Sequence, residues 1–127
     1  MVKIMEIGLT FTSTTVVDNT NTAEALGSGD MEVFATPAMV AVMENAAMNA
    51  VAPPLEAGQT TVGTEISTTH IKASALGATI TATATLTAIE GRKLTFAVTA
   101  HEGDNIIGEG THTRFIVDRE RFLAKVK

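Results

Sequence analysis

The chain has 127 residues and a formal net charge of −5 at pH 7, which fits one domain with a modest core and argues against wholesale nucleic-acid binding. It has no Cys, so neither a disulfide framework nor a thiolate site is available. No apolar run reaches the ~18 residues that span a bilayer, and the opening Met-Val-Lys-Ile-Met-Glu lacks the layout of a secretory signal; a cytoplasmic protein without membrane contact is expected.

Residues 4–17 are rich in β-branched side chains and predict a strand. Asp18-Asn19-Thr20-Asn21 is a turn signal, and residues 22–33, with Gly27-Ser28-Gly29-Asp30, predict a flexible crossover or lid. A helix follows. Thr36 suits the N-cap and Pro37 the first helical position. Met39, Val42, Met43, Ala46, Ala47 and Ala50 form a broad apolar face. Pro53-Pro54 stops the helix near Ala52. Its apolar character nearly all round predicts burial on more than one side. After Gly58 the period changes, and residues 59–73, 76–90, 94–101 and 106–117 read as strands. In the second of these, Thr81, Thr83, Thr85 and Thr87 share one face, and Ile80, Ala82, Ala84, Leu86 and Ala88 the other. Turns fall at Gly77, at 90–93 and at 102–105, the last two as hairpins. Asp118 caps a short final helix through Leu123. The order predicts a single α+β domain over residues 1–127, an antiparallel sheet wrapped around one long central helix. Exposed sheet edges favour dimerisation.

Chemistry concentrates on that helix. Glu44 stands in the middle of an Ala/Val/Met segment, and Thr36, Val40 and Glu44 are spaced i, i+4, i+8, along one stripe. Burying the carboxylate unpaired would cost several kcal/mol, roughly, so a partner or a use is expected. His70 falls on a predicted strand that can cross the helix, with His101 and His112 nearer strand ends. A carboxylate and an imidazole are the usual pair for proton transfer near neutral pH. Taken singly, Thr36 reads as a helix cap and His70 as a structural histidine; Glu44 has few such uses. Metal-ligand spacing, a Gly-rich phosphate loop and a Gly-x-Ser-x-Gly elbow are absent from the sequence. No Lys or Arg occurs between Lys3 and Lys72, so a phosphate-bearing ligand would use the second half of the chain.

The stretch Phe34-Ala-Thr36-Pro-Ala-Met-Val-Ala-Val-Met-Glu44, followed by Val62-Gly63-Thr-Glu-Ile-Ser-Thr-Thr-His70, resembles the hotdog-fold thioesterases, and most of all the fluoroacetyl-CoA thioesterase type. Ala78–Leu86 and Gly108-Glu-Gly-Thr-His112-Thr-Arg114 fit the same pattern, so the likeness covers roughly residues 32–122. The resemblance implies a hotdog fold and hydrolysis of an acyl-CoA thioester to free acid and CoA. It implies Thr36, Glu44 and His70 as catalytic trio, with Gly63 and Arg114 beside the substrate. It implies no cofactor beyond the CoA of the substrate, and a homodimer or dimer of dimers with sites at the subunit interface. His70 would act as general base or acid. Glu44 would be either nucleophile or the group that orients water, and the helix N-terminus would face a developing oxyanion. The likeness departs at residues 21–31, where the family's fluoroacetyl-CoA enzyme has lid phenylalanines and this chain has no aromatic residue. A general short- or medium-chain acyl-CoA is therefore expected rather than strict selection of a fluorinated group. Two alternatives compete, another hotdog activity such as hydration and a non-catalytic acyl-CoA or small-ligand binding dimer; Glu44→Gln separates enzyme from binder.

Overall fold

The computed structural model describes residues 4–127; the opening Met1–Lys3 lies outside them. The elements are β1 (Thr10–Val16), α1 (Ala23–Leu26), α2 (Thr36–Val51), β2 (Gln59–Thr68), β3 (Thr79–Glu90), β4 (Lys93–Glu102), β5 (Asn105–Asp118) and α3 (Arg119–Val126). The five strands form one antiparallel sheet in the order β1-β3-β4-β5-β2. β3–β4 and β4–β5 are hairpins, as their turn sequences predict. The chain leaving α2 crosses to the far edge, pairs β2 with β5, and returns to β3. Among the described residues no helix is long and apolar enough to cross a membrane.

Strict alternation in β3 puts Ile80, Ala82, Ala84 and Leu86 fully in the core. Its threonines take the other face, where Thr83 Oγ1 lies 2.8 Å from Thr12 Oγ1 of β1. A bulge between Leu86 and Ala88 breaks the alternation, so Ile89 rather than Ala88 continues the packing. α2 lies across this apolar face through Met39, Met43, Ala46, Ala47, Ala50 and Val51. Alanines on both surfaces let helix and sheet approach closely, and Phe34, Phe96, Leu94 and Ile107 complete the cluster. Each fully buried large side chain contributes about 1.5–3 kcal/mol by transfer.

Several expectations change. The first strand begins at Thr10, not residue 4, because Gly8 has a left-handed backbone (φ 101) and only Gly8 and Leu9 reach the ladder before it, both through Leu86. Residues 22–33 hold a short helix, α1, whose Thr22 side chain accepts from Ala25 N–H. Isolated bridges tie Thr22 to Phe34 and Val33 to Ala75, so both ends of this crossover are anchored to the fold. Ala35, not Thr36, occupies the N-cap of α2, and it has no side-chain cap; the Thr36 hydroxyl is engaged elsewhere. α2 is buried on one side only: the sheet covers one face, while Ala41, Asn45 and Met48 stay exposed. β2 ends at Thr68, so His70 lies just beyond the strand. His112 lies in the middle of β5, not near an end.

Candidate functional site

The first group forms where α2 begins. Thr36 is the first helical residue, and its hydroxyl is 2.7 Å from His70 Nδ1. His70 is carried by the segment after β2, which the Thr69 and Ile71 N–H groups still fasten to β5 through the Glu109 and Ile107 carbonyls. Phe34 meets the imidazole edge-on, with centroids 6.3 Å apart. His70 Nε2 is buried and has no hydrogen-bond partner among the described residues. Burial lowers the His70 pKa below 6.5, opposed by a weaker effect of the Lys72 backbone. The ring borders a cleft lined also by Ala23, Ser28, Phe34 and Lys72.

The second group forms two turns further along. Glu44 Oε2 lies 3.6 Å from Arg114 Nη1, the carboxylate side chain 40% exposed and the guanidinium side chain only 7%. The acid is therefore neither unpaired nor deeply buried within the chain. Its stripe lies at the rim of the sheet, facing the strand pair β2–β5. Arg114 is held from three sides. Its Nε donates to Thr61 Oγ1 (2.8 Å), Nη2 to the Thr61 carbonyl (2.9 Å), and Nη1 approaches His112 Nε2 (3.2 Å). His112 Nδ1 lies 2.8 Å from the Glu65 carbonyl. A carbonyl only accepts, so this bond assigns the proton to Nδ1 and leaves Nε2 to accept from Arg114. Burial first, and the adjacent Arg114 charge, hold the His112 pKa below its ordinary value, against opposing effects of the Glu65 carbonyl and Glu44. Arg114 is itself lowered by burial and raised by Glu44.

Gly63 explains how the carboxylate fits. A β-carbon there would lie 2.7 Å from Glu44 Oε2, with His112 and Arg114 at 3.2 and 3.3 Å. The β2 register shifts between Gly63 and Glu65, which lets the strand accommodate the group. Gly63, Thr64, Glu65, Ile66 and His112 line a shallow cleft with Glu44.

The structure thus joins Thr36 to His70, and Glu44 to Gly63 and Arg114, but keeps the two groups apart. Thr36 and Glu44 are eight positions apart on the helix, about 12 Å along the axis, and the two clefts share no residue. His112 and Thr61, absent from the candidate set read from the sequence, belong to the second group. The signal for His112 was present in the alternation of β5, which puts His112 and Arg114 on one face, two residues apart; Thr61, on β2, is reached only through the β2–β5 pairing.

A curled sheet holding one long helix, with its chemistry on that helix and the strands beside it, places the molecule among the hotdog-fold thioesterases. Solved structures agree. The fluoroacetyl-CoA-specific thioesterase superposes with a TM-score of 0.90 at 42% identity, covering 98% of this chain and 96% of that one. A Thermus thermophilus member of the thioesterase superfamily gives 0.87 at 27% identity, covering 99% and 93%. The fluoroacetyl-CoA thioesterase of Streptantibioticus cattleyicolor is 49% identical over 96 residues, 76% of this chain and 69% of that protein. The family described as fluoroacetyl-CoA-specific thioesterase matches residues 17–120. The chain belongs to this family, and it is a thioester hydrolase.

Proposed function

We propose that the protein hydrolyses a short- or medium-chain acyl-CoA to free acid and CoA, with Thr36, Glu44 and His70 as catalytic residues and Gly63 and Arg114 beside the substrate. The observation that carries this reading is the Thr36–His70 pair, which leaves His70 Nε2 without a partner while Glu44 stands open to a ligand. When Thr36 Oγ1 accepts from Nδ1–H, Nε2 is the unprotonated nitrogen, and a water admitted to the cleft with the substrate can give it a proton that it returns to the leaving thiolate. The depressed His70 pKa keeps that base neutral at pH 7. Thr36 also stands at the start of α2, where the helix dipole favours a developing oxyanion. Glu44 attacks the carbonyl or orients water, with Arg114 Nη1 3.6 Å from its Oε2.

Thr36 and Glu44 lie about 12 Å apart along α2, and the clefts at His70 and at Glu44 share no residue. The proposed enzyme is therefore a homodimer in which the Glu44 end of one protomer meets the Thr36–His70 end of its partner. The uncovered side of α2, with Ala41 and Met48 exposed, and the free edge of β2 support that pairing. The crossover at residues 22–33 brings Ala23 and Ser28, not an aromatic side chain, to the His70 cleft, which favours a general acyl group over fluoroacetyl alone.

Thiol release from acetyl- through decanoyl-CoA, an aryl-CoA and fluoroacetyl-CoA, with wild type beside His70→Ala, tests the reading. Turnover that falls by about 10²–10⁴-fold in a folded His70→Ala is expected. Equal turnover in the two would overturn it, and so would wild-type inactivity on every thioester.

A further inference from the structure

Six of the nine Lys and Arg residues gather at one end of this acidic chain: Arg92 and Lys93 in the β3–β4 turn, and Arg119, Arg121, Lys125 and Lys127 on and after α3. Glu90, Asp118 and Glu120 are the acids there. Asp118 is occupied, its Oδ1 accepting from the Arg121 backbone N–H at the start of α3. Among the described residues the sole ion pair is Arg114–Glu44, so the cations at this end have no carboxylate within pairing distance. Three of them, Arg92, Arg121 and Lys125, line one groove of about 340 Å³ between α3 and β5, with Ile116 and Phe122 as apolar wall. Arg92 Nη1 donates to the Ile116 carbonyl, which fixes the turn against β5. Phe122 keeps 38% of its surface exposed although it lines the groove.

We propose that this groove binds the phosphorylated nucleotide end of CoA, with Arg121 and Lys125 on phosphate oxygens and Phe122 against the adenine. The inference rests on the acyl-CoA reading above. Unpaired cations converging on a concavity are suited to phosphate, and an exposed aromatic ring beside them gives a base a face to stack on. The position also fits. Ile116 follows Arg114 by two residues on β5, about 7 Å at strand rise, so the groove opens one step beyond the group that holds Glu44. An extended phosphopantetheine chain is longer than that step.

The test compares kcat/KM for an acyl-CoA and for the acyl-pantetheine thioester carrying the same acyl group, in wild type and in Arg121→Gln/Lys125→Gln. Wild type is expected to prefer the CoA ester, and the double variant to lose about tenfold of that preference through KM. A preference unchanged in the variant overturns the inference. Calorimetric titration with adenosine 3′,5′-bisphosphate gives a readout independent of turnover. Binding to wild type that weakens at least about tenfold in the variant supports the groove, and equal binding overturns it. A wild type that binds the bisphosphate but cleaves no thioester keeps the groove and removes the thioesterase reading. One that cleaves thioesters without nucleotide preference or bisphosphate binding does the reverse.

Discussion

At the scale of single residues, the Glu44 carboxylate is positioned by what surrounds it more than by its own helix. Arg114 Nη1 is shared between Glu44 and His112, and the rest of the guanidinium is committed to Thr61. His112 is thus a positioning residue acting through Arg114. Replacing it by Leu removes the acceptor, and kcat/KM is expected to fall about tenfold, the value of one hydrogen bond to a charged group. His112→Gln, whose amide oxygen can still accept, is expected to recover part of the loss; equal loss in both variants would show that the ring only fills space. Gly63→Ala places a methyl 2.7 Å from Glu44 Oε2. The carboxylate can swing away, so the variant should fold normally while kcat/KM drops about 10²-fold from misplacement of the acid. Wild-type kinetics in a folded Gly63→Ala would contradict that geometry. The histidines also set a pH response. Burial holds His70 and His112 below 6.5 in the folded chain, so the unfolded chain takes up these protons first as pH falls. Their stabilisation is fully present above the unfolded value and is lost as pH drops through the folded pKa values. Urea midpoints should decline from pH 7 towards pH 5, less steeply in His112→Gln, and a midpoint that rises over this range would contradict the assignment.

At the scale of elements, the α2 start shows how a residue type can fit one role and fill another. Thr followed by Pro before an apolar run is an N-terminal signal, yet the cap position belongs to Ala35 and the Thr36 hydroxyl turns to His70. Thr36→Val should change stability by less than about 0.5 kcal/mol while lowering kcat/KM. Thr22→Val, which strips a true cap from the Ala25 N–H, should cost about 1 kcal/mol. Chemical unfolding of the two variants side by side checks the contrast, and a larger loss in Thr36→Val would reverse it. The helix, the hairpins and the alternating face of β3 were legible because each is written in local periodicity. The proposed trio rests on the lone acid in α2 and the resemblance carried by its flanks; the structure pairs Thr36 with His70 and sets Glu44 beside Gly63 and Arg114. The eight-position spacing of Thr36 and Glu44 on one helix already implies a separation of about 12 Å. The landing of β2 beside β5 is a long-range pairing that local pattern does not encode. It depends on Gly110, where a β-carbon would meet the Ser67 carbonyl. That same crossing ends β2 before His70 and puts Gly63, His112 and Arg114 around Glu44.

At the scale of the molecule, the chain carries two separate groups, the Thr36–His70 pair and, two helical turns further along α2, Glu44 beside Arg114. The sheet covers one side of α2 and leaves β1 and β2 as edges, so a second copy has both an open helix face and an open strand to meet. In the proposed enzyme, hydrolysis needs His70 from one protomer and Glu44 from the other. Subunit mixing tests it most directly. His70→Ala and Glu44→Gln, each inactive alone, are unfolded together, refolded at equal concentration and assayed for thiol release. Random pairing makes half of the dimers hybrid, and one of the two sites in each hybrid has both groups intact, so about a quarter of wild-type activity should return. Activity no greater than that of the separate variants, in a mixture shown to contain hybrid dimers, would contradict the account.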